Sequence, residues 1–179
     1  HRGVELGNIF KLGTRYSTSM DCYFLDEDGK RKPVVMGSYG IGVGRLLASV
    51  AEEHSDENGL VWPASIAPYS VHLVALKGGT EEADALYDEL EAAGIDLLYD
   101  DRAESPGVMF NDADLLGSPV RLTVSKRSLE AGGVETKLRH ESERGMTKRG
   151  EVVAWVQSTL NELIAPLEAA ADRAPKQAD

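Results

Sequence analysis

Apolar and polar positions change their spacing several times along the chain, and each change marks an element. Val71-His72-Leu73-Val74-Ala75-Leu76 predicts a strand. Thr80 is placed as the N-cap of a helix, and Glu81, Glu82 and Asp84 suit its positive end. Ala83, Leu86, Tyr87 and Leu90 then keep helical spacing until Gly94. Ile95 to Tyr99 predicts a second strand. Ser105-Pro106 opens a second helix with proline at its first position, running to about Leu116, with Gly117 after it. Val120 to Val124 predicts a third strand. Val134 to Arg139, after the Gly132-Gly133 turn, pairs with a neighbour. Residues 151–165 form an amphipathic helix, with Val152, Val153, Val156, Leu160 and Leu163 on one face. Ala169 to Asp179 reads as a frayed tail.

The first 65 residues follow another pattern. Val4 to Leu12 is mixed, with Gly7 and Gly13 as punctuation. Met20 to Leu25 and Arg31 to Met36 predict a hairpin across the turn Asp26-Glu27-Asp28-Gly29. Gly37 to Gly44 is a glycine-rich strand or turn, and Arg45 to His54 a helix with Leu46, Leu47 and Val50 on one face. Trp62-Pro63 and Ala67-Pro68 mark a linker or crossover. Strand–helix–strand–helix–strand with short links implies an α/β fold with a right-handed, largely parallel sheet. The hairpin and the last helix make that sheet mixed.

Composition narrows the class. The 179 residues suit one full domain, or one and part of another. Hydrophobic residues at 42% and charged residues at 27% exclude fibrous and disordered chains. No run approaches the roughly 20 apolar residues of a membrane span. A single cysteine, Cys22, excludes an internal disulfide framework and a Cys-rich zinc site, and fits a reducing cytosol. Cys22 itself reads as a small strand residue. The four histidines have no metal-ligand spacing, so no metal site is expected, and each reads as satisfied or solvated. The chain begins His1-Arg2-Gly3 without an initiator methionine, and a piece of a longer protein is expected.

The net charge of −11 argues at first against a nucleic-acid partner. Its distribution reverses that argument. Residues 81–116 hold most of the excess acid, with Arg102 their only base. Residues 117–150 hold twice as many bases as acids. A polyanion is therefore expected on 117–150 plus Arg102, with the helix at 80–93 away from it.

The most unusual stretch is Val34-Val35-Met36-Gly37-Ser38-Tyr39-Gly40-Ile41-Gly42-Val43-Gly44-Arg45. Glycines let a ligand approach the backbone, and an arginine beside them can stack on a base or meet phosphate. The spacing G-x-x-G-x-G-x-G is not the dinucleotide fingerprint G-x-G-x-x-G. A bulged strand packed against a helix fits the same pattern.

This block resembles motif 3 of class II aminoacyl-tRNA synthetases. With Val4 to Ser17, Gly59-Leu60-Val61-Trp62-Pro63, Ile66-Ala67-Pro68, Asp100-Asp101-Arg102 and Pro106-Gly107-Val108-Met109-Phe110, it is similar to the bacterial prolyl-tRNA synthetases, in family order over almost all of 3–165. The resemblance implies a catalytic-domain remnant at 1–67, a piece of an antiparallel sheet that includes motif 3. It implies an anticodon-binding domain at 68–166 with a mixed five-stranded sheet and helices on its faces, then a flexible tail at 167–179. Arg45 matches the arginine that packs on adenine and neutralises the phosphates of ATP. Gly40 and Gly42 match glycines of the nucleotide and amino-acid pocket. Asn8, Phe10, Gly37 and Ser38 fall in the proline pocket, with Asn8 where many relatives have His and Ser38 where many have Cys.

For the intact enzyme the resemblance implies ATP with Mg2+ as substrate, proline, tRNA-Pro, a homodimer and a cytoplasmic location, with neither membrane nor DNA as partner. Motif 1 and the motif 2 arginine have no counterpart in the 179 residues, so the chain alone is expected to be inactive. A stand-alone RNA-binding accessory module is the alternative, and an unrelated small nucleotide-binding α/β protein a third.

In the anticodon-binding part, Asp101 and Arg102 follow the second strand, and Arg102 suits guanine O6/N7. An ion pair of Arg102 with Asp100, Asp101 or Glu104 is the other reading. Phe110 stacks on a base or fills the helix–sheet core. Lys126 and Arg127, after the third strand, contact phosphate or lie in a solvated turn.

Overall fold

The computed structural model of the chain describes residues 3–173. The chain divides into two compact units, His1–Glu52 and Glu53–Asp179.

The first unit contains β1 (Gly7–Gly13), α1 (Arg15–Ser19), β2 (Tyr23–Leu25), β3 (Arg31–Pro33) and β4 (Met36–Ile41), and α2 (Val43–Glu53) begins in it. β2 and β3 form the expected hairpin, with Gly29 at φ 74° in its turn and Lys32 paired to Asp26. Both strands are shorter than the sequence predicts. Met36 belongs instead to β4, and Cys22 lies just before β2, exposed. The glycine-rich stretch is a true strand: β4 pairs antiparallel with β1.

The second unit contains β5 (Ser55–Asp56), β6 (Gly59–Leu60), β7 (Val71–Ala75), α3 (Thr80–Ala92), β8 (Leu97–Asp100), α4 (Pro106–Leu116), β9 (Val120–Val124), α5 (Lys126–Glu130), β10 (Gly133–Leu138), β11 (Arg144–Lys148) and α6 (Val152–Arg173). Five strands make one mixed sheet in the order β11-β10-β9-β7-β8. β8, β7 and β9 run parallel, and β10 and β11 add antiparallel to β9.

Alternation along the central strands sends side chains to two covered faces. Val71, Leu73, Val120, Leu122 and Val124 pack with Ala83, Leu86 and Leu90 of α3 and with Val152 and Val156 of α6. His72, Arg121 and Thr123 alternate with them and face the other way, where α4 supplies buried Met109 and Ala113. α4 follows its sequence signals closely. Ser105 Oγ accepts from the Val108 N–H at 3.4 Å, Pro106 opens the helix, and Gly117 closes it at φ 80°.

Elsewhere local signals gave way. Gly79 rather than Thr80 caps α3, and no side chain bonds there. β8 begins at Leu97, not Ile95. α6 continues past residue 165, through Pro166, to Arg173, so the first residues of the expected tail are helical, while residues 174–179 lie outside the described residues.

Residues 55–62 are tied onto the end of α4. The Trp62 N–H donates to Gly117 O at 3.2 Å. Arg139, at 6% exposure, donates from Nη1 and Nη2 to the Asp56 carboxylate at 2.8 and 2.7 Å and from Nε to Asp114 O at 3.0 Å. The Arg139 contact, with the Asn58 N–H, holds the Asp56 carboxyl well below the usual carboxylate range. A carboxyl lowered in the folded state adds stability that is complete above its unfolded pKa, about 3.9, and is lost as pH falls toward the folded value. Asp56→Asn should therefore lower the melting temperature at neutral pH, and the gap to the parent chain should close in acid. A gap that stays constant from neutral pH to below the unfolded pKa would contradict the pairing.

Candidate functional site

The β1–β4 ladder brings together two blocks that are distant in sequence. Asn8 lies opposite Gly40 and Phe10 opposite Ser38, so directly paired residues share one face of the ladder. Lys11 lies opposite Gly37. Asn8 Oδ1 accepts from the Ile9 N–H at 2.8 Å, and Phe10 is 54% exposed. Gly42 sits between β4 and α2, its N–H donating to Leu6 O at 3.4 Å. Arg45, in the first turn of α2, is exposed, and its Nη1 reaches Glu5 O at 3.3 Å and Glu5 Oε1 at 3.4 Å. Glu5 holds this guanidinium through both contacts.

In the second unit, the loops after three adjacent parallel strands carry the other candidates, at the carboxyl ends where open α/β sheets bind ligands. Asp101 and Arg102 follow β8 and Lys126 and Arg127 open α5 after β9, while Lys77, which the sequence reading did not single out, follows β7 between them. α5 is a helix that the sequence reading missed. Its cap is Ser125 with Ser128 in a reciprocal pair, lacking the Glu or Gln of the usual capping signature. Lys126 is exposed with Glu130 at 3.8 Å, and Arg127 is exposed.

Arg102 forms the ion pair that the second of its sequence readings expected. Its Nε and Nη2 donate to the two oxygens of Asp100 at 2.8 Å each, and Nη2 also donates to Asp112 Oδ2 at 2.7 Å. The partners are Asp100 and Asp112, not Asp101 or Glu104. Every hydrogen on Nε and Nη2 is engaged, so Nη1 is left to offer two hydrogens outward. Asp100 is buried, and Arg102 lowers its pKa. Arg102 rises further above its already high value through the same bonds.

Phe110 is half-buried and lies outside the main core. The guanidinium of Arg121 stands 4.5 Å from its ring centroid and that of Arg144 5.4 Å. Two residues along a helix are rotated by roughly 200°, so Phe110 and Asp112 occupy opposite flanks of α4. Phe110 faces the β9–β11 side while Arg102 is clamped on the β8 side.

The expected basic face is largely consumed from within. Arg121 is buried with Nη1 at 3.2 Å from Asp114 Oδ1, and Arg139 is buried on Asp56. Arg149 lies on α3, bonded to Glu82 and, at 2.8 Å, to both Glu89 oxygens. Segment charge missed this because opposite charges distant in sequence meet in the fold.

Against an anticodon-binding domain model, residues 65–159 match. The chain belongs to the anticodon-binding domain family. Residues 1–54 match the class II tRNA synthetase core domain of the G, H, P, S and T group. The chain is 51% identical over 164 residues to a proline–tRNA ligase of Shouchella clausii, covering 89% of this chain and 29% of that protein. It is 51% identical over 172 residues to one of Salinispora tropica, covering 94% of this chain and 29% of that protein. It is 50% identical over 158 residues to one of Bacillus subtilis, covering 86% and 28%. The chain thus spans less than a third of the length of these curated relatives. The anticodon-binding family match covers the five-stranded sheet and the Arg102 loop.

Sequence reasoning missed two residues of the Arg102 site. Asp100, an expected partner, and Asp112 together orient the guanidinium, and the twelve-residue separation of Asp112 from Asp100 carries no local signal. His72 is neither satisfied nor solvated: it is 2% exposed, and neither ring nitrogen has a hydrogen-bond partner among the described residues. A lone polar residue amid the apolar Val71–Ala75 run was the available signal. Among the described residues no cluster of three or more His, Cys, Asp or Glu is placed to hold a metal ion. No helix among them is long and apolar enough to cross a membrane.

Proposed function

We propose that this chain is the part of a prolyl-tRNA synthetase that reads the anticodon and contributes one wall of the ATP and proline pocket. The observation that carries the reading is Arg102. It is held by two carboxylates at the carboxyl ends of the parallel strands, inside the segment that matches the anticodon-binding model. Anticodon bases are unstacked and can be read on their edges. Arg102 Nη1 supplies two donors to guanine O6 or N7. Asp101 borders that contact, and Lys126 and Arg127 supply phosphate contacts from the neighbouring loop. Phe110 lies on the other flank of α4 and belongs to the anticodon surface only if a base reaches β9–β11.

The functional division runs 1–67 and 68–166, with α6 extending beyond the second part to Arg173. In the first part, Asn8, Phe10, Gly37, Ser38 and Gly40 line the proline pocket, and Gly40, Gly42 and Arg45 meet ATP, which enters with its Mg2+ as substrate. Arg45 exchanges Glu5 for the nucleotide. The amino-acid carboxylate attacks the α-phosphate, the bond to the β-phosphate breaks and pyrophosphate leaves, so the site needs positioning and positive charge rather than a strong base. The intact enzyme is a cytoplasmic homodimer acting on tRNA-Pro.

A wall of the pocket does not hold the α-phosphate by itself. The 179-residue chain should show no proline-dependent ATP–pyrophosphate exchange. Exchange above the no-proline background would overturn this allocation of roles.

A further inference from the structure

Beside Arg102 lies a cavity of about 370 Å³, within the size range of small-ligand sites. His72, Leu98, Asp100, Arg102, Asp112 and Leu116 line it. Its walls are of two kinds. The leucines offer apolar surface suited to the face of a flat ring. Arg102 and Asp112 offer hydrogen-bonding groups suited to the edge of one, and the His72 ring, its nitrogens buried, borders the same cavity.

His72 is the anomaly. A buried polar group without a partner is destabilising, and such groups in native proteins call for an explanation. Both His72 ring nitrogens are buried and unpartnered among the described residues. Asp100 does not relieve this. His72 Nε2 stands 3.9 Å from Asp100 Oδ2, beyond a hydrogen bond, and both Asp100 oxygens are already taken by Arg102. Burial lowers the His72 pKa, with Asp100 and Asp112 opposing that shift and Arg121 and Arg102 adding to it. The ring is therefore neutral at neutral pH, with one donor and one acceptor.

We propose that His72 is a specificity-determining residue of this cavity, hydrogen-bonding the edge of the unstacked nucleobase that Arg102 holds. This rests on the reading of the chain as an anticodon-recognition domain. A base supplies what the cavity lacks: a flat apolar face for Leu98 and Leu116, an acceptor for Arg102 Nη1, and a polar edge for His72. A site built around buried polar groups rejects ligands that leave those groups unpaired. The imidazole thus selects as well as binds.

The test uses the full chain with 15N-labelled histidine side chains. It is titrated with an RNA stem-loop bearing a proline anticodon and, separately, with guanosine monophosphate. The His72 ring resonances should move on saturation with the stem-loop. His72→Phe, which keeps a flat ring without nitrogens, should weaken stem-loop binding by up to about tenfold, the size of one neutral hydrogen bond. Loss of affinity in Arg102→Ala, with the His72 resonances and His72→Phe affinity both unchanged, would overturn the proposal and leave the anticodon reading standing. A shift with guanosine monophosphate but none with the stem-loop would also overturn it. No binding of the stem-loop by the parent chain would remove both. The resonance measurement needs no variant, so misfolding of His72→Phe does not blunt the test.

Discussion

Gly117→Ala should destabilise the second unit by about 3 kcal/mol. Gly117 closes α4 at φ 80°, a left-handed conformation that costs a residue with a side chain roughly 1–3 kcal/mol. A Cβ there would also meet Leu60 O at 2.2 Å and Leu60 C at 2.5 Å. These are backbone atoms, so no rotamer change relieves the contact. Overpacking adds about 1–3 kcal/mol. The same contact closes from the other side, where a Cβ on Gly59 would meet Leu115 Cα at 2.4 Å. The β5–β6 turn and the end of α4 thus approach through two glycines. For a chain of this length, 3 kcal/mol corresponds to a melting-temperature drop of about 6–12 °C. Gly94→Ala is the control. Gly94 has φ 76° but nothing within 4 Å of a built Cβ, so only the conformational cost of about 1 kcal/mol applies. Equal losses in the two variants would show that the Leu60 contact relaxes freely.

Arg102→Ala should cost about 1–3 kcal/mol in binding a proline-anticodon stem-loop, roughly 10- to 100-fold in affinity. The bonds that orient the guanidinium argue for this size. Asp100 and Asp112 fix its plane, so little conformational freedom is lost when Nη1 meets a base. Arg102→Lys should recover only part of the loss, because an ammonium lacks the planar fork that engages both Asp100 oxygens. The alanine variant should also be less stable. It leaves Asp100 buried without the partner that lowers its pKa, next to a neutral His72. Affinity therefore has to be compared under conditions where the variant is folded, checked by its melting curve.

Much of the fold was legible from local chemistry. α4 could be read residue by residue because Ser105, Pro106 and Gly117 each have one dominant role at a helix end. The parallel strands showed as apolar runs because both faces of the sheet are covered. β11 was missed because Arg144-Gly145-Met146-Thr147-Lys148 carries no apolar alternation, and it pairs along one edge of β10 only. α5 was missed because its capping box uses Ser128 where the familiar pattern has an acid.

The site was legible only in part. Arg102 stood out as the single base in an acidic segment and Asp100 as a partner for it, but Asp112, the other half of its clamp, was invisible until α4 folded onto β8. The charge of 117–150 misled for the same reason. Its arginines at 121, 139 and 149 meet Asp114, Asp56 and the acids of α3, which lie elsewhere in sequence. Local chemistry marks which residues are unusual, and the tertiary fold decides which of them remain available to a ligand.

The most direct measurement of the central claim is anticodon discrimination by the parent chain and by Arg102→Ala. Each is titrated with two stem-loops, one carrying a proline anticodon and one in which its guanines are replaced by adenines. Adenine presents a donor where guanine presents O6. The parent chain should prefer the guanine stem-loop, and Arg102→Ala should lose that preference while keeping the weaker phosphate-driven binding common to both RNAs. Equal preference in the two proteins, or none in the parent chain, would contradict the account.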